Sequence, residues 1–315
     1  MFRSILTSLL AVLVLCGSAF AAEKTLIAAA NPTWPPMEFL DENKNIIGYD
    51  RDIIAAIAEE LGMKSEFRNI AWDGIFASLE SGQANVIASC VTITEKRKKA
   101  YVFSDPYYEV HQAVVVAKDS PITKPEDMKG LKIRVVGSPI FIETFRALGA
   151  NPVNMNWSEA TTGFQQGVVD GQENPTNGIN ITVKIWNYHK FQCDWHYIID
   201  PLIMSVNPKV WQGFSPEDQK LLLDCAKETE TYGKALSRLG MDDGASLAFL
   251  QSLGRVPEVS DPYAFMKEQG MTVTELNHDQ IALFYAATKS VRDEWIPKIG
   301  ADLVKAAEAD MAAVK

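Results

Sequence analysis

The sequence is short of the residues that build metal centres, disulfide frameworks and nucleophilic triads. It has four cysteines and four histidines in 315 residues. His111, His189, His196 and His278 are scattered, and no His/Cys spacing matches a zinc site. No His, Cys and Asp grouping suggests an activated nucleophile. Beyond Cys16 the cysteines are Cys90, Cys193 and Cys225. An odd count excludes a disulfide scaffold and leaves at least one free thiol, with one pair open to bridging in an oxidising compartment. Positive charge is also scarce: 30 Lys and Arg stand against 40 Asp and Glu, a formal charge of -10. An acidic, evenly mixed surface argues against nucleic acid and anionic lipid as partners. Away from the N-terminus no apolar run approaches the ~20 residues that span a bilayer.

The N-terminus reads as a secretory signal peptide. Arg3 is the positive n-region, Leu9 to Leu15 the apolar run and Ala19-Phe20-Ala21 the small-x-small cleavage site. Leu15 before Cys16 is a poor substitute for the small residue that lipid attachment needs, so simple cleavage is expected. Loss of Arg3 takes the charge from -10 to -11. About 290 residues remain, enough for two lobes, and the exported chain is expected in the periplasm.

Residues 25–120 alternate short apolar runs with amphipathic helices. Thr25 to Ala30 predicts a buried strand, followed by a Pro-rich loop from Asn31 to Pro36. Asp50 is the expected N-cap of a helix whose Ile53, Ile54, Ile57 and Leu61 share a face, with Gly62 as its stop. Asp73 to Ser81 repeats the pattern, and Val86-Ile87-Ala88 is a short strand delivering Ser89 to Thr92. A second α/β unit begins near Pro121. It has strands at Leu131–Val135 and Val153–Met155, and helices at Ile140–Leu148 and from a Ser158 cap to about Gly167. Ile198 to Val206 predicts a strand returning toward the first lobe, against the usual exclusion of a proline such as Pro201. From Pro208 the chain is largely helical: Pro216 to about Leu239, Ala245 to Leu253, and Asp279 to the end.

This rhythm predicts an α/β fold with a mostly parallel sheet and helices on both faces. Ligands of such sheets bind beyond the carboxyl ends of the strands, where the loops Asn31–Pro36 and Ser89–Arg97 lie. In Thr92-Ile93-Thr94-Glu95-Lys96-Arg97 a hydroxyl, a helix start and a guanidinium suit a carboxylate. A capped helix with a solvated basic face explains the same residues equally well.

The motifs Trp34-Pro35-Pro36-Met37-Glu38-Phe39, Gly48-Tyr49-Asp50, Thr92 to Arg97 and Phe103-Ser104-Asp105-Pro106-Tyr107-Tyr108 make residues 25–120 resemble the first lobe of polar amino-acid-binding proteins of ABC importers. That resemblance implies that Trp34 packs on the ligand, while Thr92 and Arg97 hold its carboxylate. Asn31 stands where members that bind lysine or arginine often carry an acid. Residues 120–315 resemble TRAP-transporter solute receptors through Gly130 to Val135, Ala147 to Pro152, Gly167 to Pro175 and Lys298-Ile299-Gly300. This second resemblance implies that Arg134 makes the main salt bridge to the ligand carboxylate, that Asn174 hydrogen-bonds it, and that Trp157 packs nearby. On strand alternation alone, Arg134 is equally a solvated edge residue, Asn174-Pro175 a turn, and Trp157 a core residue.

Together these imply a two-lobed periplasmic-binding-protein clamshell with strand crossovers and a helical C-terminal region. Residues 22–119 plus about 206–315 form lobe 1 and the C-terminal helices, and residues 120–205 form lobe 2. The function implied is capture of a small organic acid, a dicarboxylate or keto acid, for a TRAP-type permease, with no cofactor and no metal. Two arginines in one cleft call for anionic partners. The alternative is an amino-acid-binding protein of an ABC importer. A dehydratase-like enzyme, with Glu173 as its proton donor, and a sensor module are the remaining readings.

Overall fold

The computed structural model describes residues 24–116 and 121–313; the expected signal peptide, with Cys16, lies outside the described residues. The first strand, β1 (Thr25–Ala30), is followed by a small meander of β2 (Thr33–Trp34), β3 (Glu38–Leu40) and β4 (Ile46–Ile47). β5 (Lys64–Asn69) and β6 (Val86–Val91) flank β1 in parallel. The small residues of β1 suit it to this central place. Ala28 faces the core formed with Ile53, Ile54 and Ile57 of the helix Tyr49–Glu60, while Ala29 faces Ile75 and Leu79 of the helix Trp72–Glu80. Strand alternation thus feeds two helical layers, one on each face.

The second half repeats the plan. β9 (Lys132–Val135) is flanked in parallel by β10 (Asn151–Asn154) and β11 (Gly171–Pro175). Its core gathers Ile133, Val135, Phe141 and Phe145. The halves are joined by two antiparallel strands, β8 (Tyr108–Val116) and β13 (Ile199–Val206), paired from Ile199 opposite His111 to Leu202 opposite Tyr108. β8 continues into the second half against β11, and β13 into the first against β6. The sheet of 11 strands therefore runs β10-β9-β11-β8-β13-β6-β1-β5, with short β7 (Val102–Phe103), β12 (Phe191–Asp194) and β14 (Thr272–Glu275) beside it. Pro201 fits because it pairs with Glu109 at the crossing, between the two lobe sheets. The expected mostly parallel order holds inside each lobe and gives way to antiparallel pairing where the chain crosses.

Several local expectations are corrected. Asp50 is not the N-cap: the helix begins at Tyr49 behind Gly48, whose φ of 123° only glycine adopts readily. A Cβ there would lie 2.3 Å from the carbonyl oxygen of Met37. Asp50 instead turns inward and accepts a hydrogen bond from the Tyr107 hydroxyl at 2.9 Å. Asn156, not Ser158, precedes the helix Trp157–Gln165. The helix expected from Asp279 onward is three, His278–Ala287, Lys289–Ile299 and Ala301–Ala313, broken at Thr288 and at Gly300. Cys90, Cys193 and Cys225 are all unbridged.

The sequence reading groups about 206–315 with lobe 1, and the packing divides that stretch. The helix Pro216–Ser237 lies against the crossing strands, where Lys234 and Arg238 both reach Glu109, at 3.3 and 3.2 Å. Leu276 and Phe284 enter the core of the second lobe, and Trp295 reaches Glu143 on the helix Pro139–Ala147. Among the described residues no helix is long and apolar enough to cross a membrane.

Candidate ligand-binding site

Chain segments that leave β1 and β6 in one lobe, and β9 and β10 in the other, converge over the crossing strands. They line an open cleft with a volume of about 330 Å³, at the small end of ordinary ligand pockets. All seven residues expected at the site, Asn31, Trp34, Thr92, Arg97, Arg134, Trp157 and Asn174, line this cavity. Across its mouth Asn156 Nδ2 donates to Asp73 Oδ1 at 3.1 Å, linking the two lobes.

Arg134 is 6 % exposed, although the alternation of β9 would allow it a solvated edge. β9 is flanked by β10 and β11, and the chain leaving β10 covers the Arg134 side chain. Nε donates to the Met155 carbonyl at 3.0 Å, the guanidinium lies 5.3 Å from the centre of the Trp157 ring, and Nη1 is 3.9 Å from Glu173 Oε1. One edge of the guanidinium is thus anchored and its charge is only loosely matched. Burial pushes the Glu173 carboxyl up to about 7, with Arg134, the amide of Val136 and the Tyr197 hydroxyl acting in the opposite sense. Asn174 is buried beside it, its amide nitrogen donating to Gln172 Oε1.

On the first lobe, both sequence explanations of the Thr92–Arg97 stretch apply to different atoms. Thr94 caps the short helix Glu95–Lys98 by accepting from the Arg97 amide, and Lys96 and Lys98 are exposed. Arg97 alone turns inward, 4.6 Å from the Phe76 ring centre and 5.7 Å from that of Trp72. Its Nη1 donates to the Thr92 carbonyl at 2.7 Å. Thr92 Oγ1 donates at 3.3 Å to Asp200 Oδ2, whose carboxyl burial raises to about 7 while Thr92 and the Arg97 charge oppose it. Arg134 therefore faces a carboxylate of the protein, Glu173, at 3.9 Å, and Arg97 acts on Asp200 through its charge. Charge balance alone does not require a ligand with two carboxylates.

The functional groups that sequence reasoning passed over are acids and amides. Glu38 lines the cavity, 2 % exposed, and accepts from Ser89 Oγ at 2.8 Å. Ser89 Oγ in turn accepts from the Asn31 amide at 3.0 Å, and Asn31 Oδ1 accepts from Thr33. Behind Glu38 lie Cys90 and Asp50; one ligand atom from each of the three lies within 4.8 Å of the others. Cys90 reaches this position because β6 bulges: Val91 pairs with Ile203 but Ile87 with Ser205, and Cys90 takes φ 48°. Burial, and then the charge of Asp50, raise Glu38 well above the usual carboxylate range. Gln112 and Asp200, on the crossing strands, complete the floor. The signals were a lone acid between Met37 and Phe39, and a Gln in the apolar run from Val110 to Val116.

These acids give the stability a direction with pH. Glu173 and Asp200, both raised to about 7 in the folded state, favour folding fully below their unfolded values and lose that contribution as pH rises through 7. His189, lowered to about 4 by burial, acts in the opposite sense but only below its unfolded value. Between pH 6.5 and 8 the acids therefore dominate this set. The ligand-free protein is expected to melt at a lower temperature at pH 8 than at pH 6.5, and Asp200→Asn to shrink that difference. Thermal melts at the two pH values measure it, and an equal or larger difference in the variant would contradict the assignment.

Two α/β lobes on two shared strands, meeting over a small cavity lined by charged, amide and aromatic side chains, define a solute receptor of the binding-protein class. Comparison with known proteins agrees. The chain belongs to the bacterial extracellular solute-binding proteins, family 3, which match residues 26–228. It is 32 % identical over 208 residues to the 2,3-diketo-L-gulonate-binding periplasmic protein of Escherichia coli, covering 64 % of this chain and 56 % of that one. A probable histidine-binding protein of Neisseria gonorrhoeae is 39 % identical over 114 residues, 36 % of this chain and 42 % of that one. The chain thus spans about half the length of these curated relatives, 56 % and 42 %. A TRAP periplasmic solute-binding protein of Ralstonia eutropha, solved with bound (S)-2-acetolactate, superposes with a TM-score of 0.71 at 26 % identity, covering 92 % of this chain and 99 % of that one. Both resemblances read from the sequence, to TRAP receptors and to amino-acid-binding proteins, are present among these relatives.

Proposed function

We propose that the chain is an exported receptor that captures a small organic acid in the cavity between its lobes and delivers it to a TRAP-type membrane permease. The observation that carries this reading is Arg134, a buried guanidinium on a wall of a cavity of about 330 Å³, with Trp157 and Asn174 beside it. A buried cation with an incomplete partner favours an anion. Arg97, Thr92, Trp34 and Asn31 close the site from the other lobe, and ligand shifts the population toward the closed form. The leader 1–21 directs export to the periplasm, residues 120–205 make lobe 2, and the remainder makes lobe 1 and the C-terminal helices, subject to the packing described above.

The TRAP assignment is supported by coverage. The TRAP receptor solved with acetolactate superposes over 92 % of the chain, whereas two structures of an arginine-binding protein superpose over 65 % and 72 %. The ligands named for the Escherichia coli relative and for the TRAP receptor are small oxygenated carboxylates. The role is binding without turnover. Glu173, the acid an enzyme would use, is engaged by Arg134, the Val136 amide and Tyr197.

A thermal-shift screen of residues 22–315 against keto acids, hydroxy acids, dicarboxylates and amino acids tests the reading, because a ligand of the folded state raises the melting temperature. Shifts with non-amino organic acids are expected. A shift with amino acids alone would replace the reading with that of an amino-acid receptor of an ABC importer. Conversion of a bound acid to product would make the protein an enzyme.

A further inference from the structure

We infer that Gln172 and Asn180, which lie behind the cavity wall, are positioning residues that hold Asn174 with its side-chain carbonyl toward the ligand. The site then selects an acid that carries an O–H or N–H donor close to its carboxylate. This deepens the reading of the cavity as a carboxylate site and rests on it.

Gln172 and Asn174 are two residues apart on β11, so they project from one face of the strand. The chain then turns at Gly178, with φ 82°, and brings Asn180 back beside them. Gln172 and Asn180 are 0 % exposed, and neither lines the cavity. Asn174, 4 % exposed, does line it. Their amides form a closed ring of hydrogen bonds. Asn180 Nδ2 donates to the Asn174 backbone carbonyl at 3.2 Å, and Gln172 Nε2 donates to Asn180 Oδ1 at 2.9 Å. Asn174 Nδ2 closes the ring by donating to Gln172 Oε1.

A free carboxamide can turn over and exchange its donor for its acceptor. Here the backbone fixes the sense. The main-chain carbonyl of Asn174 can only accept, so Asn180 presents Nδ2 to it and Oδ1 to Gln172. Gln172 must then present Nε2 to Asn180 and Oε1 to Asn174, and Asn174 must answer with Nδ2. Turning over any one amide sets two buried acceptors against each other. Turning over all three only moves that conflict to the main-chain carbonyl. Such a buried mismatch costs free energy on the scale of a lost hydrogen bond.

The atom left to the cavity is Asn174 Oδ1. No donor reaches it among the described residues, yet it is not one of the fully buried polar atoms without a partner, so it keeps open surface. It can only accept, and the ligand group against it must donate. Gln172 pairs with Arg134 across β11 and β9, and Asn174 stands two residues, roughly 7 Å, further along the strand. With the ligand carboxylate on Arg134, a donor on its neighbouring carbons falls toward Asn174. Glu38, Glu173 and Asp200 line the same cavity and, where ionised, favour a donor that also carries positive charge. Asn174 is neutral and accepts from a hydroxyl or an ammonium alike. The amide ring therefore specifies that the ligand donates, and the acids bear on whether the donor is charged.

The test is isothermal titration of residues 22–315 with 2-hydroxybutyrate, 3-hydroxybutyrate, 2-aminobutyrate, 2-oxobutyrate and butyrate. The tightest of the acids with a donor is expected to exceed both 2-oxobutyrate and butyrate by about tenfold or more. In Gln172→Met, which keeps the bulk and releases Asn174 to turn over, that ratio is expected to fall to about threefold or less. A merely structural Gln172 would lower the melting temperature and weaken all the acids alike, so an unchanged ratio in the folded variant would overturn the inference. Binding of 2-oxobutyrate or butyrate as tight as that of every donor acid would overturn it too, and would leave the organic-acid reading standing. Binding of 2-aminobutyrate alone would keep the inference and overturn the reading of a non-amino acid. Failure of all five to bind would overturn both. Where Gln172→Met does not fold, Asn180→Ala, which removes the anchor of the ring, is read in the same way, and the ratios in the unaltered protein decide alone if neither variant folds.

Discussion

Arg134→Ala is expected to weaken binding of the organic acid by about 100-fold or more, roughly 2.7 kcal/mol. The size follows from three losses at one buried position. The charge-assisted hydrogen bonds to the carboxylate disappear, the wall above Trp157 retreats, and Glu173 loses its nearest cation. Without that cation the Glu173 carboxyl moves further up and stays protonated rather than stand as an unpaired buried charge. The fold then tolerates the change better than the site does. Arg134→Lys keeps the charge but not the fork that donates to the Met155 carbonyl while facing the cavity. Its expected affinity lies between those of the unaltered protein and the alanine variant. Titration calorimetry with the acid of largest thermal shift measures all three. Full affinity in Arg134→Ala would remove Arg134 from the site.

A large effect on stability is expected at Gly233, which does not line the cavity. The helix Pro216–Ser237 passes so close to β8 that a Cβ at Gly233 would lie 2.4 Å from the Tyr107 carbonyl oxygen and 3.2 Å from Tyr108 Cα. Both neighbours are backbone at the start of a strand shared by the lobes, so neither gives way cheaply. Alanine would gain about 1 kcal/mol of helix propensity over glycine. Separating helix and strand costs more than that, and the net is about 2 kcal/mol of lost stability, or roughly 4–8 °C in melting temperature. Gly213→Ala is the control, because nothing lies within 4 Å of a Cβ there. Equal melting temperatures for the two variants would contradict the close approach.

The contrast between these positions shows how far the sequence could be read. Ile53, Ile54 and Ile57 announced their helix because period and burial coincide, and the glycines after the helices marked their ends. The family motifs brought Trp34, Thr92, Arg97, Arg134, Asn174, Trp157 and Asn31 to a single cavity, although on residue chemistry alone Arg134 reads equally as a solvated strand residue. What hides it from water is the segment after β10, a long-range contact that local pattern does not encode. Asp50 was misplaced for a similar reason. An acid at a helix start suits a cap, but Gly48 is pinned against Met37 and Tyr107 supplies a buried donor. Gln112 and Asp200 were not singled out because their meaning depends on register between β8 and β13, which joins residues 88 positions apart. The tail was grouped with the first lobe because its helices carry no mark of which core they join. Only the docking of Phe284 and Trp295 shows that part of it covers the second lobe.

The central claim is that one small acid is held between the lobes, touched by both. Hydrogen–deuterium exchange with and without the acid of largest thermal shift tests it most directly. The account predicts slowed exchange in both walls at once, around residues 31–34 and 89–97 on one side and 134–138 and 154–157 on the other, with loss of the effect in Arg134→Ala. Protection confined to one lobe, or centred on the apolar groove beside Trp211 and Phe214, would contradict it.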